Sequence, residues 1–562
     1  MIAVFELLVP GIRPSSMIKG EIGAAAPAVQ PIRHFLTPLH SKATAPTDSI
    51  LVKIADGQVA ESSYRYAAIA APAPSTDPGL THRARAWILA FALSLTLSSS
   101  PALEANPVDD LPTLGDGSSR IVSPAMEKQI GRQFLKQINA VLPTIDDPIL
   151  KYYVETHIAD LAQYSQLSEK VLEVVLIDSP AVNAFAAPGG VVGVNLGLIL
   201  TAEDVHEYSS VMAHELAHLS QRHFARGIEE QREAMLPTMA SMIAAIAIGM
   251  AAGGDAGIAA MSASQAAAQS SQLRYSRSRE TEADRIGMNT LVAAGLDPDG
   301  MARMFDRMGR AYRYSSRPPE FLLTHPLTER RVADAKTNAL KYPARQYEDS
   351  PDYTLARMRA MVHYSDSPEV AVKHFRKEVE DNPNSAAAQY GLALALSRAG
   401  EHEEAVPLAD ALFASAPDRL LFIAAYAEFL TAAGELDQAL TLLERQLLLN
   451  PDNPPLAMLY ADALLQNEEY DIAEEVLSRQ SKIRPNDIDV WYELAEVAGK
   501  AGDIVAVHRA RAEFFALHGA YTRAIQHLEY ARRLVSQDNA QLHAMLNQRI
   551  NDLRTELRIA RS

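Results

Sequence analysis

The segment His214-Glu215-Leu216-Ala217-His218 carries two imidazoles and a carboxylate within five residues. In an α-helix, positions i and i+4 lie on one face, so His214 and His218 can direct ring nitrogens at a single zinc ion. Glu215 lies beside them, where a carboxylate can take a proton from an attacking water and later pass it to the leaving amine. Zinc complements this by lowering the pKa of a coordinated water towards about 7. The motif predicts zinc-dependent peptide hydrolysis with Glu215 as the catalytic acid and base.

A catalytic zinc site needs a third protein ligand and keeps one open position. The chain has no cysteine, so the ligand must be histidine or carboxylate. Gln221 and Phe224 stand where a metzincin has glycine and a third histidine, so we expect a carboxylate from another helix. Glu280 is the best candidate. Asp284, on the same helix face, can hold a ligand histidine through its second ring nitrogen.

Two further polar residues near these motifs are interpreted as structural. Glu282 points away from the face shared by Glu280 and Asp284, which favours a solvated helix charge. His223 lies off the ligand face of the motif helix and is more typical of a structural histidine than of a ligand.

Helices and a small sheet must position these residues. Helical periodicity is found in four segments, 127–141, 148–164, 203–226 and 276–294. Two β-branched runs, 171–177 and 191–195, predict strands, with 183–190 as a turn-bearing connection between them. We expect a predominantly α fold with a small β-sheet, an α+β zincin-type metallopeptidase domain over 106–345. An extended substrate could add to the sheet edge near 191–195.

The stretch 235–269 is rich in Ala, Met and Ser and is interrupted at Gly253-Gly254-Asp255. Each half is short and dominated by alanine, which favours a mobile cover over the site. The alternative interpretation is a membrane hairpin, which would make the protein an integral membrane peptidase.

Beyond about residue 350 the sequence repeats with a fixed period. Prolines recur 34 residues apart at four unit boundaries: Pro383, Pro417, Pro451 and Pro485. Alanines keep the same period, and Gly400, Gly434 and Gly502 share a further register that Glu468 interrupts. This pattern is the tetratricopeptide signature, in which paired helices touch through small residues. We expect an α-solenoid over 346–562, closed by a final helix pair.

The N-terminal region resembles an export signal. Two arginines precede the apolar run 87–97, and small residues follow it, which is the order of a secretory signal peptide. The run is shorter than the roughly 20 residues of a membrane anchor. We expect 83–105 to be a signal peptide cleaved near Ala102 or Ala105, and 1–82 to be a disordered leader or a misassigned start. A secreted or periplasmic address follows.

Charge and composition exclude several classes of protein. Lys and Arg number 52 against 69 Asp and Glu, a net charge of −17, which argues against binding to a nucleic-acid backbone. The absence of cysteine excludes disulfides and thiol nucleophiles. A length of 562 residues accommodates two or more domains.

Taken together, the motif at His214, the segment 280–287 and the segment 183–190 resemble the gluzincin peptidases of the HtpX type. The repeats that follow narrow the resemblance to the BepA type of periplasmic zinc metallopeptidase. This resemblance implies one Zn²⁺ per chain, held by His214, His218 and Glu280. It also implies degradation of unfolded or misassembled outer-membrane proteins, chaperone activity and docking of the repeats on the assembly machinery. Since 235–269 is interpreted as a cover, we expect peripheral rather than integral membrane association.

The same resemblance implies a switch. In such proteins a loop histidine after the peptidase helices can occupy the open zinc position. Thr324-His325-Pro326-Leu327 matches that loop, and Arg331 lies where a supporting arginine is expected. An alternative from another class is a chaperone or scaffold in which the repeats act and the zinc site is mostly latent.

Overall fold

The computed structural model describes residues 122–170, 173–230, 276–313 and 319–561. The predicted leader, signal peptide and cover segment therefore lie outside the described residues. Within the described ranges, no helix combines the length and the apolar character that crossing a bilayer requires.

In the first part of the chain, the described residues form helices and a small sheet. The helices and strands of this part are α1 (Pro124–Val141), α2 (Pro148–Gln163), β1 (Glu173–Ile177), β2 (Ala184–Ala187), β3 (Val191–Asn195), α3 (Leu196–Thr201), α4 (Val205–Ser220), α5 (223–230), α6 (276–293), α7 (Asp299–Arg313), α8 (Glu320–Thr324) and α9 (Glu329–Ala339). The predicted fold class, predominantly α with a small sheet, is confirmed.

Between residues 351 and 561, all of which the structure describes, twelve helices follow. They are α10 (Pro351–His363), α11 (Pro368–Asp381), α12 (Ala386–Ala399), α13 (His402–Ser415), α14 (Leu420–Ala432), α15 (Leu436–Leu449), α16 (Pro454–Gln466), α17 (Tyr470–Ile483), α18 (Ile488–Ala501), α19 (Ile504–Leu517), α20 (Tyr521–Leu534) and α21 (Ala540–Arg561). The helix pair predicted to close the array is present as α20 and α21. The exact division between the two domains at residue 345 stays a prediction.

The sheet has the strand order β1-β3-β2, with β1 parallel and β2 antiparallel to β3. The prediction that substrate adds at 191–195 is wrong, because β3 is the central strand and both of its edges are paired. Segment 183–190 is more than a connection, since it contains β2. A tight turn at Gly189 and Gly190, with φ of 77° and 83°, folds β2 back onto β3.

Helix α4 is the buried centre of the first part. Every residue from Val205 to His218 is buried. The predicted continuous helix over 203–226 is wrong, because α4 ends at Ser220 and Arg222 adopts a left-handed φ of 49° before α5 begins. Gln221 and Arg222 are ordinary helix formers, so local propensity does not signal the break.

Helix α6 approaches α4 closely at Gly287. A Cβ at Gly287 would lie 3.0 Å from the backbone nitrogen of His214, tighter than ordinary contacts, so a side chain there would push the two helices apart. Glu280, Asp284 and Gly287 are spaced i, i+4 and i+7 and therefore share one helix face. The glycine thus brings both carboxylates to the motif helix.

The turns between paired helices explain the glycine register of the repeats. Gly400, Gly434 and Gly502 follow α12, α14 and α18 with φ of 78°, 77° and 85°. Glu468, which interrupts the register, adopts the same left-handed conformation with φ 63°. The turn geometry is therefore set by the packing of the repeat, and glycine is the residue that adopts it without a steric penalty.

The solenoid contacts the first part of the chain at three separated places. At its start, the Tyr353 hydroxyl donates to the carbonyl of Ala202 at 3.0 Å. In its middle, Nζ of Lys151 on α2 binds Asp489 at 2.8 Å. At its end, Asn139 on α1 donates to the carbonyl of Leu517 at 3.2 Å. The array therefore curves around the sheet and its helices.

A buried arginine joins the two parts. Arg359 on α10 is 6% exposed and binds Asp147 at 2.7 Å, Glu428 at 2.8 Å and the Tyr390 hydroxyl at 3.2 Å. We expect Arg359→Met to lower the free energy of unfolding by about 3 kcal/mol, because it removes the buried guanidinium that binds both carboxylates. Chemical denaturation measures this change.

Arg376→Met provides the matched control. Arg376 also contacts two carboxylates, Glu401 at 3.2 Å and Glu404 at 2.9 Å, but its side chain is 44% exposed. Exposed pairs contribute at most about 1 kcal/mol, so the control should be nearly neutral. Equal losses in both variants would contradict the importance assigned to the buried network.

Candidate metal centre

Four side chains from separate parts of the fold converge on one point. They are His214 and His218 from α4, Glu280 from α6, and His325 directly after α8. One donor atom of each lies within 4.8 Å of those of the other three. Nε2 of His214 is 3.0 Å from Nε2 of His218 and 3.3 Å from Nδ1 of His325. Glu280 lies 3.4 Å from His214 and 3.5 Å from His218. These separations fit donor atoms that each lie about 2 Å from a shared ion.

The environment of this cluster suits a cation. All four side chains are buried, and the negative charge of Glu280 would be shared between a bound cation and Arg331, which lies 3.0 Å away. Among the described residues, both oxygens of Glu215 and Nε2 of His325 are buried without a hydrogen-bond partner. Imidazole nitrogens with one carboxylate form a typical donor set for zinc and related metals. The residues present therefore fit the metal that the motif predicts.

Glu215 lies next to His325 at the edge of this cluster. Its Oε1 is 3.4 Å from Nε2 of His325, and the side chain is completely buried. Burial raises the pKa of Glu215, while the imidazoles of His325 and His214 act in the opposite direction. A carboxylate with a raised pKa is a better proton acceptor than a solvated one.

Asp284 and Arg331 contact residues of the cluster and hold them in place. Oδ1 of Asp284 lies 2.9 Å from Nδ1 of His214. Arg331 donates twice to Asp284, at 2.7 Å each, and also donates to the carbonyl of Pro326 at 3.0 Å. It lies 3.0 Å from Glu280 as well. This one guanidinium thus connects two carboxylates of α6 with the loop that carries His325.

The electrostatics of the cluster are dominated by its carboxylates. Burial alone would lower the pKa of His214, but Asp284 and Glu280 raise it to about 9. Burial would likewise raise the pKa of Glu280, but the imidazoles of His325 and His214 hold it well below its usual range. The carboxylates therefore stay ionised and attract either protons or a metal ion to the imidazoles, and these two compete.

The loop with His325 is fixed by Phe321. The backbone N–H of Phe321 donates to the carbonyl of Val182 at 3.1 Å, next to the start of β2. The Phe321 ring stacks on the His325 ring with centroids 4.6 Å apart. These contacts place His325 among the donor atoms, where the family resemblance locates a switch residue.

The sequence did not predict that His218 is also held by a neighbouring side chain, that of His223. Nδ1 of His223 lies 2.9 Å from Nδ1 of His218, and Nε2 of His223 lies 3.2 Å from Glu282. The interpretation of Glu282 as a solvated charge is wrong, because it binds His223 and also Arg226 at 3.1 Å. The hydrogen bond to His223 and the charge of Arg226 lower the pKa of Glu282 to about 2. Only the break at Arg222 makes this contact possible, and local sequence does not signal it.

Comparisons with known proteins agree with this geometry. Residues 148–339 match the model of peptidase family M48. Two further segments, 364–419 and 430–497, match models of the tetratricopeptide repeat. The first match covers the part that carries the candidate metal centre, and the other two lie in the solenoid.

Several relatives align with between about two fifths and four fifths of the chain. The putative beta-barrel assembly-enhancing protease of Vibrio cholerae is 35% identical over 448 residues, which is 79% of this chain and 92% of the relative. The beta-barrel assembly-enhancing protease of Escherichia coli is 31% identical over 332 residues, 59% of this chain and 68% of the relative. The mitochondrial metalloendopeptidase OMA1 of Schizosaccharomyces pombe is 27% identical over 216 residues, 38% of this chain and 60% of the relative. The chain therefore belongs to the beta-barrel assembly-enhancing protease family of M48 metallopeptidases.

Proposed function

We propose that the protein is a periplasmic zinc endopeptidase that acts in outer-membrane protein assembly and degrades misassembled outer-membrane proteins. The observation that carries the proposal is the convergence of His214, His218 and Glu280 beside the buried carboxylate of Glu215. The names of the bacterial relatives support the setting in β-barrel assembly. The predicted signal peptide supports the periplasmic address.

The residues of the site have distinct roles in this proposal. One zinc ion per chain, held by His214, His218 and Glu280, would supply Lewis acidity to a water and to the scissile carbonyl. Glu215 accepts the proton of the water as it attacks the carbonyl carbon. It then donates that proton to the amine nitrogen as the C–N bond breaks. Asp284 keeps His214 in the required orientation.

Substrate binding is assigned to β2. Among the described strands, β2 pairs with β3 alone, so its other edge can accept an extended peptide. It also packs against α4, the helix that carries Glu215. Pairing through the main chain would leave the sequence preference broad, as degradation of many misassembled proteins requires.

His325 closes the resting site in this proposal, because its Nδ1 lies with the ligand atoms and its Nε2 lies beside Glu215. Arg331 stabilises that closed arrangement. We expect His325→Ala to increase casein cleavage and self-cleavage roughly tenfold, the gain expected if the open state is about a tenth populated. The rate is measured at equal zinc content.

Leu323→Ala is the matched control for this loop. Leu323 lies two residues before His325 on α8 and is 66% exposed, so its removal perturbs the same segment without touching the donor atoms. Its activity should equal that of the wild type. An unchanged or lower rate in His325→Ala would contradict the switch.

In this proposal the repeats recruit unfolded outer-membrane proteins or dock on the machinery that assembles them. The protein associates with the membrane peripherally. If the repeats alone sufficed, the protein would act as a chaperone or scaffold. Complementation of an outer-membrane assembly defect by Glu215→Gln separates these functions. Failure at normal abundance supports the protease, whereas full rescue would overturn the assigned role of degradation.

A further inference from the structure

The chain reversal at the end of α4 brings the ring of His223 against the ring of His218. In a continuous helix, a residue five positions after His218 would lie roughly 140° away around the axis. The left-handed backbone of Arg222 ends the helix and turns the chain, so His223 folds back onto His218. The Arg222 guanidinium binds Glu127 at 2.9 Å and the carbonyl of Val122 at 2.7 Å. The break is therefore held by contacts with the segment around α1.

The chemistry of imidazole sets the direction of every hydrogen bond in this arrangement. If Nε2 of His218 binds a metal, its Nδ1 must carry the proton. Nδ1 of His223, 2.9 Å away, then accepts, which leaves the proton of His223 on Nε2. That N–H donates to the carboxylate of Glu282 at 3.2 Å. Each link has one donor and one acceptor, and no contact remains unmatched.

The two ligand histidines are thus supported differently. His214 meets the carboxylate of Asp284 directly, whereas His218 reaches the carboxylate of Glu282 through an intervening imidazole. His223 is only 5% exposed, so water competes poorly for this contact.

We propose that His223 and Glu282 are positioning residues that fix the tautomer and the ring orientation of His218 for metal binding. This rests on the zinc site proposed above. Partners that orient metal-bound histidines contribute about 10–100-fold to metal affinity. The pair also connects α5 and α6 to the ligand set, so Glu280 and His218 are aligned by the same two segments.

The test measures the zinc dissociation constant by competition with a chromophoric chelator, and the absorption spectrum of the cobalt(II)-substituted protein. We expect His223→Leu to raise the dissociation constant about 10–100-fold and to change the cobalt spectrum. His223→Gln should recover part of the affinity, because an amide can accept from His218 and donate to Glu282. Glu282→Gln should fall between the wild type and His223→Leu.

His206→Gln is the matched control. His206 lies on α4 and is also 5% exposed, but it accepts a hydrogen bond from the backbone of Asp297 instead of contacting a ligand. It should keep the zinc affinity of the wild type, even if the metal-free protein melts at a lower temperature. Wild-type affinity in all the His223 and Glu282 variants would overturn the proposal, as would an equal loss in His206→Gln. A wild-type protein that binds no zinc would overturn the metal site itself, an outcome visible without any variant.

Discussion

Glu215→Gln is expected to lower the rate of casein hydrolysis by roughly 10²–10⁴-fold while zinc stays bound. Glutamine preserves the shape of the side chain but cannot take a proton from the attacking water. The carboxylate is completely buried beside the donor atoms, so no solvated group can replace it during catalysis. Initial rates together with zinc content per chain test this expectation.

Glu207→Gln is the control for removing a buried carboxylate from the same helix. Glu207 is 1% exposed and binds Arg307 at 2.8 and 3.1 Å, at the opposite end of α4 from the ligands. This variant should unfold more easily but hydrolyse casein at a normal rate under native conditions. If Glu215→Gln kept its activity, Glu215 would not be the catalytic acid and base. If both variants lost the same activity, the role of Glu215 would be structural.

Glu280→Gln is expected to abolish both zinc binding and hydrolysis. Glu280 contributes the anionic donor atom of the four-residue cluster, and an amide is a much poorer ligand. The dissociation constant should rise more than about 100-fold, since residues that merely orient ligands already contribute about 10–100-fold. Equilibrium dialysis against zinc, followed by casein assays over a range of zinc concentrations, measures both effects.

The exposed Glu329→Gln serves as the control for this variant. Glu329 lies at the start of α9 and carries the same charge without approaching the donor atoms. It should bind zinc and hydrolyse casein like the wild type. If Glu280→Gln retained full zinc occupancy, the third ligand would have to be another residue and the proposed site would fail.

Much of this protein is determined by local sequence. The i, i+4 spacing of His214 and His218 requires only a helix to bring the two rings to one face, and the same holds for Glu280 and Asp284. The 34-residue period requires only repeated packing of neighbouring helices, so the solenoid is predictable from short-range patterns. These features depend on contacts between residues close in the chain.

Tertiary structure alone decided the rest. Strand order depends on pairing between segments, so the sequence could not show that β3 is central and that β2 offers a free edge. His325 lies among the donor atoms because Phe321 and Arg331 hold its loop. One left-handed residue, Arg222, turns His223 onto His218, against the helical propensity of its neighbours. The backbone at Arg222 is held in turn by its contact with Glu127. In each case a contact between segments far apart in the sequence decides the structure, and local sequence patterns do not report the free energy of such contacts.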